Sequence, residues 1–285
     1  MERVQTLSEA MHAFRQELAG HYPDNEIRNI FYLVSEHLLN YSKIDIHLKS
    51  LESISISASR NFEEILQRLK NWEPVQYILG HAEFFGHSFR VDHRVLIPRP
   101  ETEMLVEWIR QEEQGKTPVV VDLGTGSGCI AVSLAVNLPG ARISACDISE
   151  DALTVAKLNA RDNRAEVDFF YFNLLDDVTL LPAKYQVMVS NPPYVREQEK
   201  QYMRNNVLDF EPAAALFVPD ADPLIFYRRI ALLGRKNLAD GGSLYLEINE
   251  NFPHEVVKIL ENAGFYGIEV RADLNGKIRM IKARK

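Results

Sequence analysis

Residues 119–132, VVVDLGTGSGCIAV, run from a β-branched, strand-like segment through three alternating glycines into a helix-like segment. Val119 to Val121 read as a buried strand, and a buried strand that leads through a loop into a helix belongs to a parallel sheet. Gly124, Gly126 and Gly128 allow positive φ and let a ligand come close to the backbone. The scheme then repeats. ARISACDIS reads as a strand, EDALTVAKLNARDN as a helix, and VDFFYFN and YQVMVSN as strands. LIFYRRIALLGRKNL reads as a helix, GGSLYLEIN as a strand and FPHEVVKILENAGF as a helix. GIEVRADLNGKIRMIKARK has the pattern of a hairpin turning at LNG. Alternation of this kind predicts a mostly parallel α/β sheet with helices on both faces, and the hairpin makes one edge antiparallel.

The chain before this region is different. Ser8 is placed to cap a first helix carrying Met11, Phe14 and Leu18. Ile27, Ile30, Phe31, Val34 and Leu38 share one face of a second helix, and Phe62, Ile65 and Leu69 share a face of another. Residues 1–80 are therefore expected to form a helical bundle of mixed surface charge. Phe85, Phe89, Val91 and Val95, with Gly86 and Asp92, predict a hairpin over 81–98 that links the bundle to a domain spanning 99–285.

Of the 285 residues, 46% are hydrophobic and 25% charged, an ordinary globular composition, and the net charge is −8. That balance argues against a general nucleic-acid or anionic-membrane binder, since both need surplus Lys and Arg. Two cysteines without metal-ligand spacing suit a reducing compartment. The start of the chain lacks the apolar core of a signal peptide, and no apolar run is long enough to span a membrane. A cytoplasmic protein is expected.

The glycine loop opens a helix after the first parallel strand, where doubly wound folds bind nucleotides and nucleosides. A dinucleotide fingerprint would need a third glycine where Cys129 stands; G-x-G-x-G suits a cofactor without a pyrophosphate. Asp147 ends the second strand, where a carboxylate can accept both ribose hydroxyls; the plainer role is to cap the next helix. Asn173 ends the third strand and can pair with an adenine edge, with Leu174 against a ring face; a polar strand end in solvent is the alternative.

The fourth strand runs into Asn191-Pro192-Pro193-Tyr194. The proline rings fix two φ angles and hold the Pro192 carbonyl rigidly. With the Asn191 side-chain oxygen it makes two fixed acceptors for the hydrogens of a planar NH2 group, and Tyr194 offers a face for stacking. That arrangement suits methylation of an amide or aromatic amine by orientation alone, with no metal and no nucleophilic residue.

Glycine loop, acid and NPPY, in this order, resemble the S-adenosylmethionine-dependent amino-methyltransferases. PVQYILGHAEFFGHSFRVDHRVLIPRPETE, DLGTGSGCIA, VSNPPY, FEPAAALF and the YRR beyond it resemble one branch, the HemK/PrmC family, over residues 74–285. The resemblance implies a seven-stranded Rossmann-like (class I) methyltransferase domain behind an N-terminal helical substrate-recognition domain. It implies methyl transfer to the side-chain amide nitrogen (N5) of the glutamine in the GGQ motif of class-1 peptide-chain release factors. It implies that Gly124, Thr125, Gly126, Ser127, Gly128 and Asp147 bind S-adenosyl-L-methionine, with Asn173, Leu174 and Asn191 beside it. Asn191, Pro192, Pro193 and Tyr194 would hold the glutamine. Arg99 and Glu101 of IPRPETE would lie near the site. The chain departs from the family pattern at Asn173 and Leu174, at VPDADP, and at Asn249 and Phe252. A monomer without nucleic acid is expected. The alternatives are a nucleic-acid adenine or cytosine N-methyltransferase, which also uses NPPY but needs a basic channel, and a binding protein that retained the cofactor pocket.

Overall fold

The computed structural model describes residues 5–176 and 181–285. It divides into two compact units. One gathers the chain up to Gly80 together with Arg204–Phe210; the other holds His81–Met203 and Glu211–Lys285.

The first unit contains α1 (Leu7–Leu18), α2 (Asp24–Leu39), α3 (Lys43–Leu48), α4 (Ile56–Lys70) and α5 (Val75–Leu79). Phe14, Phe31 and Phe62 meet at its centre, with ring centroids 5.3–6.1 Å apart. Thr6, not Ser8, caps α1. Its hydroxyl accepts from Glu9 N, and the Glu9 carboxylate accepts from Thr6 N at 2.8 Å. This reciprocal box needs an acid three residues on, which Ser8 lacks. The later segment of this unit is tied by Arg204, whose Nη1 pairs with Glu26 at 2.9 Å.

The second unit opens with the hairpin β1 (His81–Phe84) and β2 (His87–Arg90). Phe84 and Phe89 are buried in the unit's core, and Arg90 N donates to Asn159 Oδ1 at 2.7 Å, so the hairpin is part of this unit. The sequence reading assigns no element between Pro100 and Pro118. The structure has α6 there (Pro100–Glu113), with Pro100 in the first turn, where its missing N–H costs nothing.

Then follow β3 (Val119–Leu123), α7 (Cys129–Asn137), β4 (Arg142–Asp147), α8 (Glu150–Asp162), β5 (Val167–Tyr171) and β6 (Tyr185–Ser190). Short pieces come next: β7 (Val195–Arg196), a 3-10 turn, α9 (Asn205–Leu208, in the helical unit), α10 (Ala213–Leu216) and β8 (Phe217–Val218). The chain continues through α11 (Ile225–Asn237), β9 (Leu238–Glu247), α12 (Pro253–Asn262), β10 (Tyr266–Ala272) and β11 (Ile278–Arg284).

Seven strands form one sheet in the order β10-β11-β9-β6-β3-β4-β5. The pairs from β9 to β5 are parallel, and the closing hairpin adds the antiparallel edge. Val120, Val187, Val189 and Tyr245 pack on one face with α6 and α7; Val121, Met188, Leu244 and Leu246 pack on the other with α11 and α12. The chain moves outward from β3 to β5 and then returns to the other side of β3 as β6. The order therefore reverses between β3 and β6, and their carboxyl ends border the crevice where open sheets bind ligands. Cys146 is fully buried in β4 and Cys129 nearly so at the start of α7; both are free thiols.

Candidate active site

A cavity of about 310 Å³ lies at that crevice. Its wall brings together Gly124, Thr125, Gly126, Ser127, Asp147, Asn173, Leu174, Asn191 and Pro193. Gly128, Pro192 and Tyr194 are not part of the wall.

The glycine loop is held from β4. Gly124 N and Thr125 N both donate to Cys146 O at 2.9 Å, and Gly126 N donates to Asp147 Oδ2 at 2.9 Å. Gly124 and Gly126 have φ of +73° and +55°, and a Cβ at either would stand in open space. Both line the cavity, so the missing side chains are what opens this wall to a ligand. Gly128 has another reason to be glycine. A Cβ there would stand 3.0 Å from Ala156 Cβ, so it lets α7 lie close on α8.

The cap of α8 is Ser149, whose hydroxyl accepts from Ala152 N, and not Asp147, which binds backbone on both sides of itself. Asp147 Oδ1 accepts from Ser149 N at the start of α8, and its Oδ2 accepts from the glycine loop. A carboxylate has about four lone-pair sites, so acceptor capacity remains for a diol in the cavity. Burial raises its pKa, against the pull of the backbone N–H groups. Beneath the loop, Asp122 is fully buried and accepts from Thr125 Oγ1 at 2.6 Å. Burial, with Asp147 nearby, pushes its pKa up to about 7 although the Thr125 bond works the other way. Asn173 Oδ1 accepts from Leu175 N in a local turn, and Leu174 is buried against the core while touching the cavity.

Open space above two glycines, a carboxylate with spare lone pairs and an apolar rim from Leu174, Phe226 and Ile130 fit an adenosine-bearing cofactor. S-Adenosylmethionine would be held by the loop and Asp147, with Asn173 and Leu174 beside its base.

Asn191 follows β6, whose end is tied to β3 by Ser190 Oγ donating to Leu123 O at 2.6 Å. Its Nδ2 donates to Thr102 Oγ1 at 3.3 Å. Tyr194 is engaged by protein. Its ring packs against the core, its hydroxyl donates to Glu247 Oε1 at 3.0 Å, and its carbonyl accepts from Asn249 Nδ2 at 3.0 Å. Stacking on a substrate is thus not what the structure gives this ring to do. Asn249, one of the departures from the family pattern, is a brace for the tetrapeptide.

Several wall residues were not legible beforehand. Arg94, Val95, Leu96, Pro98 and Thr102 come from the segment before and into α6, and Phe226 from α11; Arg99, expected near the site, is also in the wall, and Glu101 is not. Arg99 Nη2 donates to Glu211 Oε1 at 2.6 Å, and Glu211 Oε2 accepts from Ile97 N, so a buried acid clamps the IPRP segment. Glu247 is 1% exposed at the carboxyl end of β9, after the apolar Leu244, Tyr245 and Leu246. A lone acid inside the run SLYLEI is the one sequence signal that marks it.

Residues 100–216 match the family described as methyltransferase small domain, and residues 9–80 match the PrmC N-terminal domain. A release factor glutamine methyltransferase of Bacteroides thetaiotaomicron is 44% identical over 95% of this chain and 97% of its own. One of Flavobacterium psychrophilum is 42% identical over 94% of this chain and 95% of its own. A methyltransferase structure from Pyrococcus furiosus, 15% identical, superposes with a TM-score of 0.53 over 71% of this chain and 90% of that one, a likeness of fold. With near full-length identity to such relatives and both domains matched, the chain belongs to the release factor glutamine methyltransferase family.

Proposed function

We propose that this protein transfers the methyl group of S-adenosyl-L-methionine to the side-chain amide nitrogen (N5) of the GGQ glutamine in a class-1 peptide-chain release factor. The observation that carries the reading is that Asn191 and the glycine loop share one cavity at the reversal of strand order. When bound, the cofactor supplies an electrophilic methyl group on a cationic sulfur.

The residues of the chain supply orientation. An amide nitrogen is a poor nucleophile because its lone pair is delocalised into the carbonyl. Asn191 Oδ1 accepts one N–H hydrogen at the cavity wall; the Pro192 carbonyl is assigned the other although Pro192 is not part of that wall, and the pair favours pyramidal nitrogen with its lone pair free. Pro192 and Pro193 hold these acceptors stiffly, and such positioning is worth up to roughly 7–11 kcal/mol for well-placed reactants. Gly124 to Ser127 and Asp147 bind the cofactor, with Asn173 and Leu174 at its base. Methyl transfer leaves the nitrogen with two hydrogens and a positive charge, and this cationic amide is acidic enough to lose one proton to water, giving the neutral N-methyl amide, so no general base is needed.

The helical unit is read as a recognition surface for the release factor, because one glutamine side chain offers too few contacts to select a protein. The protein is read as a monomer working in the cytoplasm without nucleic acid. The net charge of −8 and two buried free thiols support the last two points. Among the described residues, no helix is long and apolar enough to cross a membrane.

The test is methyl transfer from labelled S-adenosylmethionine to release factor, to DNA, and to neither. Label should enter release factor alone; label in DNA would favour the nucleic-acid alternative, and none in either would favour a binding protein. Asn191→Ala should lower the transfer rate by roughly 10²-fold with cofactor affinity near wild type. A parallel loss of affinity would instead make Asn191 a cofactor ligand or a structural residue.

A further inference from the structure

We infer that Thr102 is a positioning residue for methyl transfer: with Glu247 it fixes which way the Asn191 amide faces. The inference rests on Asn191 acting on the reacting amide.

The two oxygens of Glu247 meet two hydroxyl donors. Tyr194 OH donates to Oε1 at 3.0 Å, and Thr102 Oγ1 donates to Oε2 at 2.7 Å. A threonine hydroxyl has one proton, and here the carboxylate takes it. Toward Asn191, Thr102 Oγ1 has only lone pairs left, so it can accept and cannot donate. The atom of Asn191 that faces it must then be the NH2 group, as observed at 3.3 Å. Turning the amide over would set Oδ1 against the hydroxyl lone pairs with no hydrogen between them. The carboxylate thus sets the direction of a two-bond relay, and the relay leaves Oδ1 as the free end of the Asn191 amide. Among the described residues, no protein donor is seen on Oδ1. That acceptor is the one the reacting NH2 group needs.

The relay also explains two oddities. Glu247 sits fully buried in an apolar strand, where an acid without partners would cost several kcal/mol. Thr102 lies in the first turn of α6, on the face turned inward, where an apolar residue would pack as well. Both make sense if the pair sets Asn191.

The experiment uses the full chain with release factor and saturating S-adenosylmethionine in single turnover. Thr102→Val keeps the shape and removes the hydroxyl. It should slow methyl transfer by about tenfold or more while cofactor affinity and the KM for release factor stay near wild type. Thr102→Ser restores the hydroxyl and should bring the rate back to within about threefold of wild type. In parallel, the Asn191 side-chain NH2 resonances, assigned by their loss in Asn191→Asp, should exchange slowly with solvent in wild type and in Thr102→Ser. If Thr102→Val does not fold, the wild-type exchange rate and the Thr102→Ser rate still decide. Wild-type transfer rates in Thr102→Val, a serine variant as slow as the valine one, or rapid exchange of the Asn191 amide in wild type would each overturn the inference. Absence of any transfer by the wild-type protein would instead strike the proposed function itself.

Discussion

At the scale of single residues, the cavity region is built on carboxylates under strain of burial. Asp122 is the plainest case. Its folded-state pKa of about 7 lies above the ordinary value of 3.8, so the folded protein holds this proton more tightly than the unfolded chain does. The stability it contributes is therefore complete below about pH 4 and lost as pH rises toward about 7. Asp122→Asn keeps an acceptor for Thr125 without the charge. Between pH 5 and pH 8, the cofactor-free variant should lose less Tm than wild type, by roughly 5 °C, in paired thermal melts. Parallel curves would mean that Asp122 titrates normally. Residues of this kind divide by how they are read. Asp147 and Asn191 stand where strands end, so run lengths alone point to them. Thr102 and Glu247 are 145 positions apart, and nothing local in either stretch announces the bond between them. Ser8 misled because a hydroxyl before a helix is a common sign, whereas the acid opposite Thr6 decided the cap.

At the scale of elements, one loop contains glycines with different duties. Gly126 leaves room for a ligand; Gly128 leaves room for a helix. Both have positive φ, so alanine at either carries a strain of roughly 1–2 kcal/mol. Gly128→Ala adds a contact of 3.0 Å with Ala156 Cβ and 3.2 Å with its Cα. It should lower Tm more than Gly126→Ala does, and the folded fraction should still bind S-adenosylmethionine with near-native affinity. Gly126→Ala should do the reverse, with affinity down by about tenfold or more in calorimetry. Equal effects of both substitutions on affinity would mean that Gly128 also meets the cofactor. The strands of the seven-stranded sheet and the longer helices other than α6 were readable from their apolar runs and spacing, whereas the two-residue β7 and β8 and the short α3, α5, α9 and α10 are too brief to show a pattern. The helix α6 was not readable either, since IPRP masks its start, although its apolar residues Leu105, Val106, Trp108 and Ile109 all join the core.

At the scale of the whole molecule, the division of labour between the two units can be separated by substrate size. A chain beginning at Pro74 lacks the bundle, and Arg204 loses its partner Glu26. Retained S-adenosylmethionine affinity would establish that the sheet unit is still folded. Such a chain should methylate intact release factor much more slowly, by about tenfold or more, with a smaller change on a short GGQ peptide. Equal loss on protein and peptide would assign the bundle to support of the active site. The fold as a whole was the most legible property, because strand-helix alternation restricts topology severely. That Arg204–Phe210 joins the helical unit was not, since the segment has no pattern of its own that ties it to a bundle more than a hundred residues earlier.

The two thiols turn the sheet unit into its own clock. Burial pushes Cys129 up to about 12, and Cys146 is raised still further from the ordinary thiol range. Only thiolate attacks an alkylating reagent, so the native protein is protected twice, by access and by ionisation. Both cysteines belong to the sheet unit, so alkylation followed by mass reports how often that unit opens and says nothing of the bundle. Cys129 lines the cavity, and S-adenosylmethionine should slow its modification in proportion to occupancy. A reagent that never touches the substrate thus measures both the opening rate of the catalytic half and the filling of its cavity.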